Sequence, residues 1–288
     1  MVIQSYAKVN LFLEILNKRP DNYHNLNTLF ERISLCDKII LKGRRDNLIK
    51  ISCQNPRVPL DASNLCFKAA KLLRDKFNIG RGLDIKIIKR IPVGSGLGGG
   101  SSNAASVLLA LNKLWKLNLA KEKLAEFAAE LGSDVPFFIY GAPFAQGEGR
   151  GEKIRVLSKL HKIRLWHILI VPKIHVATPR IYRKLDDFCG LTKPVSNVKI
   201  LTSILVENVP SLKPGLLFNS LEEITLKLCP EVRRIKEKLA ALGLGNILMS
   251  GSGAAVYAIV SSKKEAAKLI GKIREERRPW LTFAVKTV

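Results

Sequence analysis

Five glycines fall within seven residues of this 288-residue chain, at Gly94, Gly96, Gly98, Gly99 and Gly100, and Ser101, Ser102 and Asn103 follow directly. Beyond them Val107, Leu108, Leu111, Leu114 and Trp115 recur as an apolar stripe at helical spacing, so the stretch reads as a glycine loop feeding a helix. Glycine lets the backbone approach an anion closely and take positive φ without a Cβ penalty. A helix start adds unpaired N–H groups and the positive end of a dipole. Together they form a cradle for phosphate. The plainer alternative is a mobile turn with an ordinary serine N-cap.

Several phosphate loops are excluded by what surrounds this one. Gly94-Ser95-Gly96-Leu97-Gly98-Gly99 satisfies G-x-G-x-x-G, a weak pattern on its own. A dinucleotide fold needs a second strand about 20 residues on, ending in an acid that holds the ribose. Here Leu119 to Leu131 reads as another helix. A Walker A loop needs Gly-Lys-Ser/Thr, and no lysine follows these glycines. Neither H-R-D nor D-F-G occurs, which excludes the protein-kinase set.

Hydrophobic residues make up 47% of the chain, enough for one large or two smaller globular units. No apolar run approaches the ~18 residues of a membrane span. Lys8 and Asn10 interrupt the first apolar stretch, which is not a signal-peptide pattern. The five cysteines (Cys36, Cys53, Cys66, Cys189 and Cys229) have no C-x-x-C spacing, so a cytoplasmic, reducing setting is expected. A formal charge of +24 is the oddity. The basic residues are scattered, and no basic–aromatic interleaving of the RNA-binding kind occurs, so neither a specific nucleic-acid partner nor a membrane is expected.

Tyr6 to Leu16 alternate as a strand, Val9, Leu11, Leu13 and Ile15 on one face and Lys8, Asn10, Phe12 and Glu14 on the other. Alternation alone favours a wet sheet face for Lys8 and Asn10. A turn at Arg19 to Asn22 leads to Tyr23 and His24, a pair that is either plain surface or able to stack and hydrogen-bond a base. Asp61 to Asn64 are capping candidates for a helix carrying Leu65, Leu72, Leu73 and Phe77. Leu83 to Ile88 predicts a strand, and Lys121 to Leu131 a helix stopped by Gly132. Asp134, ahead of Pro136, reads first as a helix cap or turn. A pattern restarting near residue 157 gives strands at Trp166–Val171, Val256–Val260 and Leu281–Val285 and helices at Glu231–Leu242 and Lys263–Arg278. That order suggests a small α+β sandwich, in which Gly251 to Gly253 form a turn that could be only a hairpin. Residues 192–214, rich in proline, are left unassigned.

Four segments in order (AKVNLFL with Tyr23-His24, the run from Pro92 to Ser102, LGSDVPFFIYG and MSGSGAAVY) together resemble the GHMP kinases, small-molecule kinases whose glycine loop wraps the ATP phosphates. Within them the likeness is to the branch acting on a cytidine diphosphate derivative of methylerythritol. The resemblance implies a two-domain α+β fold, residues 1–156 binding ATP and residues 157–288 forming a ferredoxin-like C-terminal domain, with the active site in the cleft between. It implies ATP and Mg2+ as cofactors, a small-molecule substrate, and a monomer or weak homodimer. By the same likeness Asp134 is the general base and Lys8 the cation paired with it. Asn64 and Lys89 lie near the adenine, and Pro92, Val93, Gly94, Ser95, Gly96, Leu97, Gly98, Gly99, Gly100, Ser101 and Ser102 wrap the phosphates. Asn10 holds substrate hydroxyls, Tyr23 and Tyr182 sandwich the base, His24 bonds its edge, and Thr178 and Gly251 stand nearby. No protein ligand for the metal is assigned. Asn219-Ser220-Leu221-Glu222 departs from the family's usual Asn-Asp-Leu-Glu. A GHMP kinase for another alcohol and a basic noncatalytic binding protein on the same fold are the competing readings.

Overall fold

The computed structural model describes residues 1–174, 176–186, 197–207 and 215–288. Two long strands, β1 (Val2–Lys18) and β2 (His24–Arg44), form an antiparallel hairpin whose turn is the predicted Arg19–Asn22. Around them stand β3 (Ile49–Cys53), β4 (Gly82–Ile88), β5 (Phe144–Glu148) and β6 (Lys153–Val156). The helices α1 (Leu65–Lys76), α2 (Gly99–Leu114), α3 (Lys121–Leu131) and α4 (Val135–Tyr140) belong to the same half. The later half runs β7 (Trp166–Pro172), α5 (Thr178–Asp186), α6 (Val198–Glu207), β8 (Phe218–Asn219), α7 (Glu222–Leu228) and α8 (Pro230–Ala241), then β9 (Ile247–Met249), β10 (Val256–Val260), α9 (Lys263–Arg274) and β11 (Trp280–Lys286).

The first sheet is ordered β3-β4-β2-β1-β8, with β5 attached to β2 and β6 to β5, and β8 joins β1 in parallel. The second is ordered β11-β7-β10-β9, and every pair in it is antiparallel. Counted within that sheet the order is four-one-three-two, the ferredoxin-like arrangement that the resemblance implies.

Alternation along the strands explains the layers. Leu169 and Val171 of β7 pack with Val9, Leu11 and Tyr257 between the two sheets, while their neighbours Ile168 and Ile170 face Ile235 and Leu239 of α8 and Ile270 and Ile273 of α9. On the far side of the first sheet α1 to α4 cover Ile39, Ile85 and Phe30, with Phe30 stacked on Phe137 at 4.9 Å, a contact worth about 0.5–1.5 kcal/mol beyond its area. The protein is thus helix on sheet on sheet on helix.

Some expectations need correcting. Lys8 and Asn10 do not face water: they are 3% and 2% exposed, because helices cover the face that an isolated strand would show to solvent. A bulge between Asn10 and Phe12 breaks the simple alternation, so Phe12 joins Val9 and Leu11 in one cluster while Leu13 and Ile15 pass into another. Helix α2 takes in Gly99 to Ser102, which the sequence reads as loop, and Leu114 at its end is 42% exposed rather than part of the buried stripe. Helix α9 stops at Arg274, four residues short of Arg278, since Arg277 adopts a left-handed φ of 50° and Pro279 disfavours helix in the residue before it. Of residues 192–214, only 197–207 are described, and Cys189 lies outside the described residues.

Candidate active site

The glycine loop runs between the hairpin and the second sheet. Gly98 takes φ 66° as the N-cap of α2, and a Cβ there would stand 3.0 Å from Lys8 Cγ and 3.1 Å from Phe138 Cζ. Gly96 takes φ 79°, and a Cβ there would meet the Ser250 carbonyl oxygen at 2.1 Å. Only glycine permits both the conformation and the closeness. The Lys8 N–H donates to the Leu97 carbonyl at 3.0 Å, so the loop is pinned to β1 at the residue whose side chain reaches forward.

Beneath the loop sits Asp37, a fully buried carboxylate on β2. It accepts from the N–H groups of Arg90 (2.7 Å) and Ile91 (2.8 Å), from Asn103 Nδ2 (2.9 Å) and from the Lys89 ammonium. Asn103 also donates to Ser5 Oγ at 2.8 Å, and Ser5 Oγ lies 2.7 Å from Ser102 Oγ. This network fixes the strand entering the loop to the helix leaving it. It also sets two expected site residues. Lys89 lines the cleft with its ammonium bound to Asp37, and Ser102 turns away and does not line the cleft.

In front of the loop the cleft has a volume of about 1070 Å³. Lys8 Nζ donates to Asn10 Oδ1 at 2.7 Å, lies 3.4 Å from Asp134 Oδ2 and stands 5.4 Å from the Phe30 ring centre. Asn10 in turn donates to Thr28 Oγ1 at 2.8 Å, so the lysine is held by groups that are themselves held. Asp134 occupies the N-cap position of α4 yet makes no capping bond with its side chain; the carboxylate is directed to Lys8. Asn64 does cap its helix, accepting from Cys66 N–H at 2.8 Å, and it also lines the cleft.

At the far end Tyr23, His24, Thr178 and Tyr182 line the same cleft. The rings of His24 and Tyr182 lie 5.4 Å apart, and burial, with the Asp134 charge adding to it, pushes the Tyr182 phenol up. Tyr23 is 52% exposed with the Arg150 guanidinium 4.8 Å from its ring centre. Arg150 and Asp186 were not among the sequence candidates, although the glycine-rich run around Arg150 marks a turn.

The second glycine turn closes the other wall, and it is also the β9–β10 hairpin. Ser250 Oγ donates to the Gly96 carbonyl at 3.0 Å, and Ala255 N–H donates to the Ser95 carbonyl at 3.0 Å. Thr178 Oγ1 and Ser252 Oγ are 2.7 Å apart. Asn219, buried, donates to the carbonyls of Met249 and Gly251, both at 2.8 Å, and so sets Gly251 in the cleft. Ser220, the departure from the family pattern, accepts from Ile15 N–H at 3.0 Å and donates its own N–H to Leu13 at 2.8 Å; a hydroxyl suffices to stitch β8 to β1.

Two family models match, that of the GHMP kinases N terminal domain over residues 64–142 and that of the GHMP kinases C terminal over residues 203–278. A relative from Bacillus velezensis named 4-diphosphocytidyl-2-C-methyl-D-erythritol kinase is 41% identical over 93% of this chain and 91% of its own. The chain belongs to the 4-diphosphocytidyl-2-C-methyl-D-erythritol kinase family. A crystal structure of a 4-(cytidine 5'-diphospho)-2C-methyl-D-erythritol kinase superposes on it with TM-score 0.81 at 32% identity, covering 99% of both chains. Homoserine kinase from Cytophaga hutchinsonii, at 21% identity and TM-score 0.76 over 100% of this chain and 94% of its own, shares the fold. As a member of this kinase family the protein is an ATP-dependent phosphotransferase of isoprenoid precursor biosynthesis.

Proposed function

We propose that the protein transfers the γ-phosphoryl group of ATP to the 2-hydroxyl of 4-diphosphocytidyl-2-C-methyl-D-erythritol, with Asp134 as general base. The observation that carries this reading is the Lys8–Asp134 pair, 3.4 Å apart beside the Gly98 turn, in one cleft with Tyr23, His24 and Tyr182. A phosphate cradle, a carboxylate beside a cation, and an aromatic end for a base are the three parts that this reaction needs.

Phosphoryl transfer asks for positioning and charge neutralisation more than covalent chemistry. Asp134 takes the hydroxyl proton as the substrate oxygen bonds to the γ-phosphorus and the bond to ADP breaks. Lys8, held by Asn10, lies against the developing charge on the equatorial oxygens. The N–H groups of Gly94 to Ser101 and the start of α2 hold the phosphates, while Asn64 and Lys89 border the adenine. Tyr23 and Tyr182 flank the cytosine, and stacking of this kind is worth about 1–3 kcal/mol per base. Ser101, an oxygen donor lining the cleft beside the loop, would suit a hard cation that takes its remaining ligands from phosphate and water. A Mg2+ ion bound there would neutralise part of the phosphate charge.

Residues 1–156 and 157–288 form the two lobes on this reading; all strands of the first sheet except β8 fall in the former. The cytoplasmic setting is supported by free thiols at Cys36, Cys53, Cys66 and Cys229. The deciding experiment follows ADP release from Mg-ATP with the cytidylyl substrate set beside mevalonate, homoserine and galactose. Turnover with the cytidylyl substrate alone supports the reading, and turnover with another of these alcohols replaces it.

A further inference from the structure

Asp186 ends α5, one turn beyond Tyr182. Both of its carboxylate oxygens are taken: Lys18 Nζ donates to Oδ2 at 2.6 Å, and His24 Nε2 lies 2.8 Å from Oδ1. Lys18 is the last residue of β1 and His24 the first of β2, so one side chain on α5 grips both ends of the hairpin turn that carries Tyr23. The hydrogen bond from Lys18, aided by His24, holds the Asp186 carboxyl below the usual carboxylate range.

A carboxylate only accepts, so the proton shared with His24 sits on Nε2. In the neutral ring the other nitrogen, Nδ1, then offers a lone pair. His24 lines the cleft, and no described residue donates to its Nδ1. The ring beside it is Tyr182, at the end of the cleft where a base would stack. A neutral His24 held in this tautomer welcomes a donor on the base edge and opposes an acceptor.

The geometry points to Asp186 as a specificity-determining positioning residue: by accepting from Nε2–H it fixes the His24 tautomer, so that Nδ1 accepts from the exocyclic amine of a 4-aminopyrimidine and repels the 4-carbonyl of a uracil. The inference rests on the cytidine reading of the cleft and adds the group that tells cytidine from uridine. Lys18 has a separate part, tethering the hairpin without touching the ring.

The test compares kcat/KM for the cytidylyl substrate and its uridylyl analogue, together with 15N NMR of the imidazoles, the His24 signals being assigned by their loss in His24→Gln. The wild type is expected to prefer cytidylyl and to show His24 Nδ1 unprotonated. Asp186→Ala should raise KM for the cytidylyl substrate about tenfold and lower the cytidylyl-to-uridylyl ratio by about tenfold or more, with kcat affected less than KM. Asp186→Asn, which keeps an accepting oxygen, should recover most of the ratio. Lys18→Met, which loosens the tether alone, should preserve it. A ratio unchanged in Asp186→Ala, a ratio lowered equally by Lys18→Met, or a wild-type proton on Nδ1 overturns the inference. Failure of the underlying cytidine reading looks different, since the wild type would then turn over neither nucleotide substrate.

Discussion

Asp134 stands at the N-cap of α4 but gives its carboxylate to Lys8, 3.4 Å away, and no side-chain bond to the helix. A cap residue that does not cap is free to be exchanged without loosening the helix. Asp134→Asn should therefore melt close to the wild-type temperature and bind ATP normally, while kcat falls about 10²–10⁴-fold, the usual worth of a general base. Steady-state kinetics with a thermal melt reads both. An unchanged kcat removes Asp134 from the mechanism.

The Asp37–Lys89 pair under the loop is buried on both sides, at 0% and 5% side-chain exposure. Removing one partner strands the other charge, which costs about 3–5 kcal/mol. Asp37→Ala should lose that much in urea unfolding, and Asp37→Ala with Lys89→Met should regain a large part. Equal stability of the single and double variants would show that the lost bonds to Arg90 and Ile91, rather than the stranded ammonium, set the cost.

Two glycines of one loop should respond in opposite ways. Gly96→Ala places a methyl 2.1 Å from the Ser250 oxygen at a left-handed φ of 79° and should cost about 2–4 kcal/mol. Gly100→Ala, inside the first turn of α2 with Leu65 at an ordinary 3.7 Å, should stabilise by less than about 1 kcal/mol. Differential scanning calorimetry of the two variants separates them, and comparable losses would mean that the loop is not held as described.

Burial pushes the Cys66 thiol from its ordinary 9.0 up to about 12. The thiolate is the reactive form, so at pH 8 a disulfide reagent should leave Cys66 unmodified in the native protein and reach it only on unfolding. The sign for stability follows from the same displacement. Between pH 9 and about 12 the folded state keeps a proton that the unfolded chain releases, so stability falls as pH rises through that window. Mass-spectrometric mapping of labelled cysteines checks the first part, and rapid native labelling of Cys66 would contradict it.

What the sequence makes legible here is what is local. The glycines, the helix after them and the Gly132 stop are written in neighbouring residues, and α3 begins and ends at the expected Lys121 and Leu131. Lys8 illustrates the limit: alternation says which face it is on but not that helices cover that face. Asp37 carries no local signal at all, because its partners Arg90, Ile91 and Asn103 come from β4's exit and α2. Asp186 is hidden for the same reason, its two partners lying at the other end of the chain. Ser102 is the reverse case, a residue inside a strong motif whose side chain points to the scaffold at Ser5.

The strand bearing Lys8 is bordered by Phe218 and Asn219, and its hairpin partner Ile33 bridges to Thr287. A ribosome makes that strand well before these neighbours, and Thr287 follows Lys8 by roughly 15–55 s at ordinary elongation speeds. Until Leu169 and then Tyr257 are made, Val9 and Leu11 lack the side chains that cover them in the finished protein. The nascent chain thus emerges with an apolar sheet face bare, a surface for chaperones to hold, and the phosphate cradle acquires its second wall only after Ser250 and Ala255 have been made.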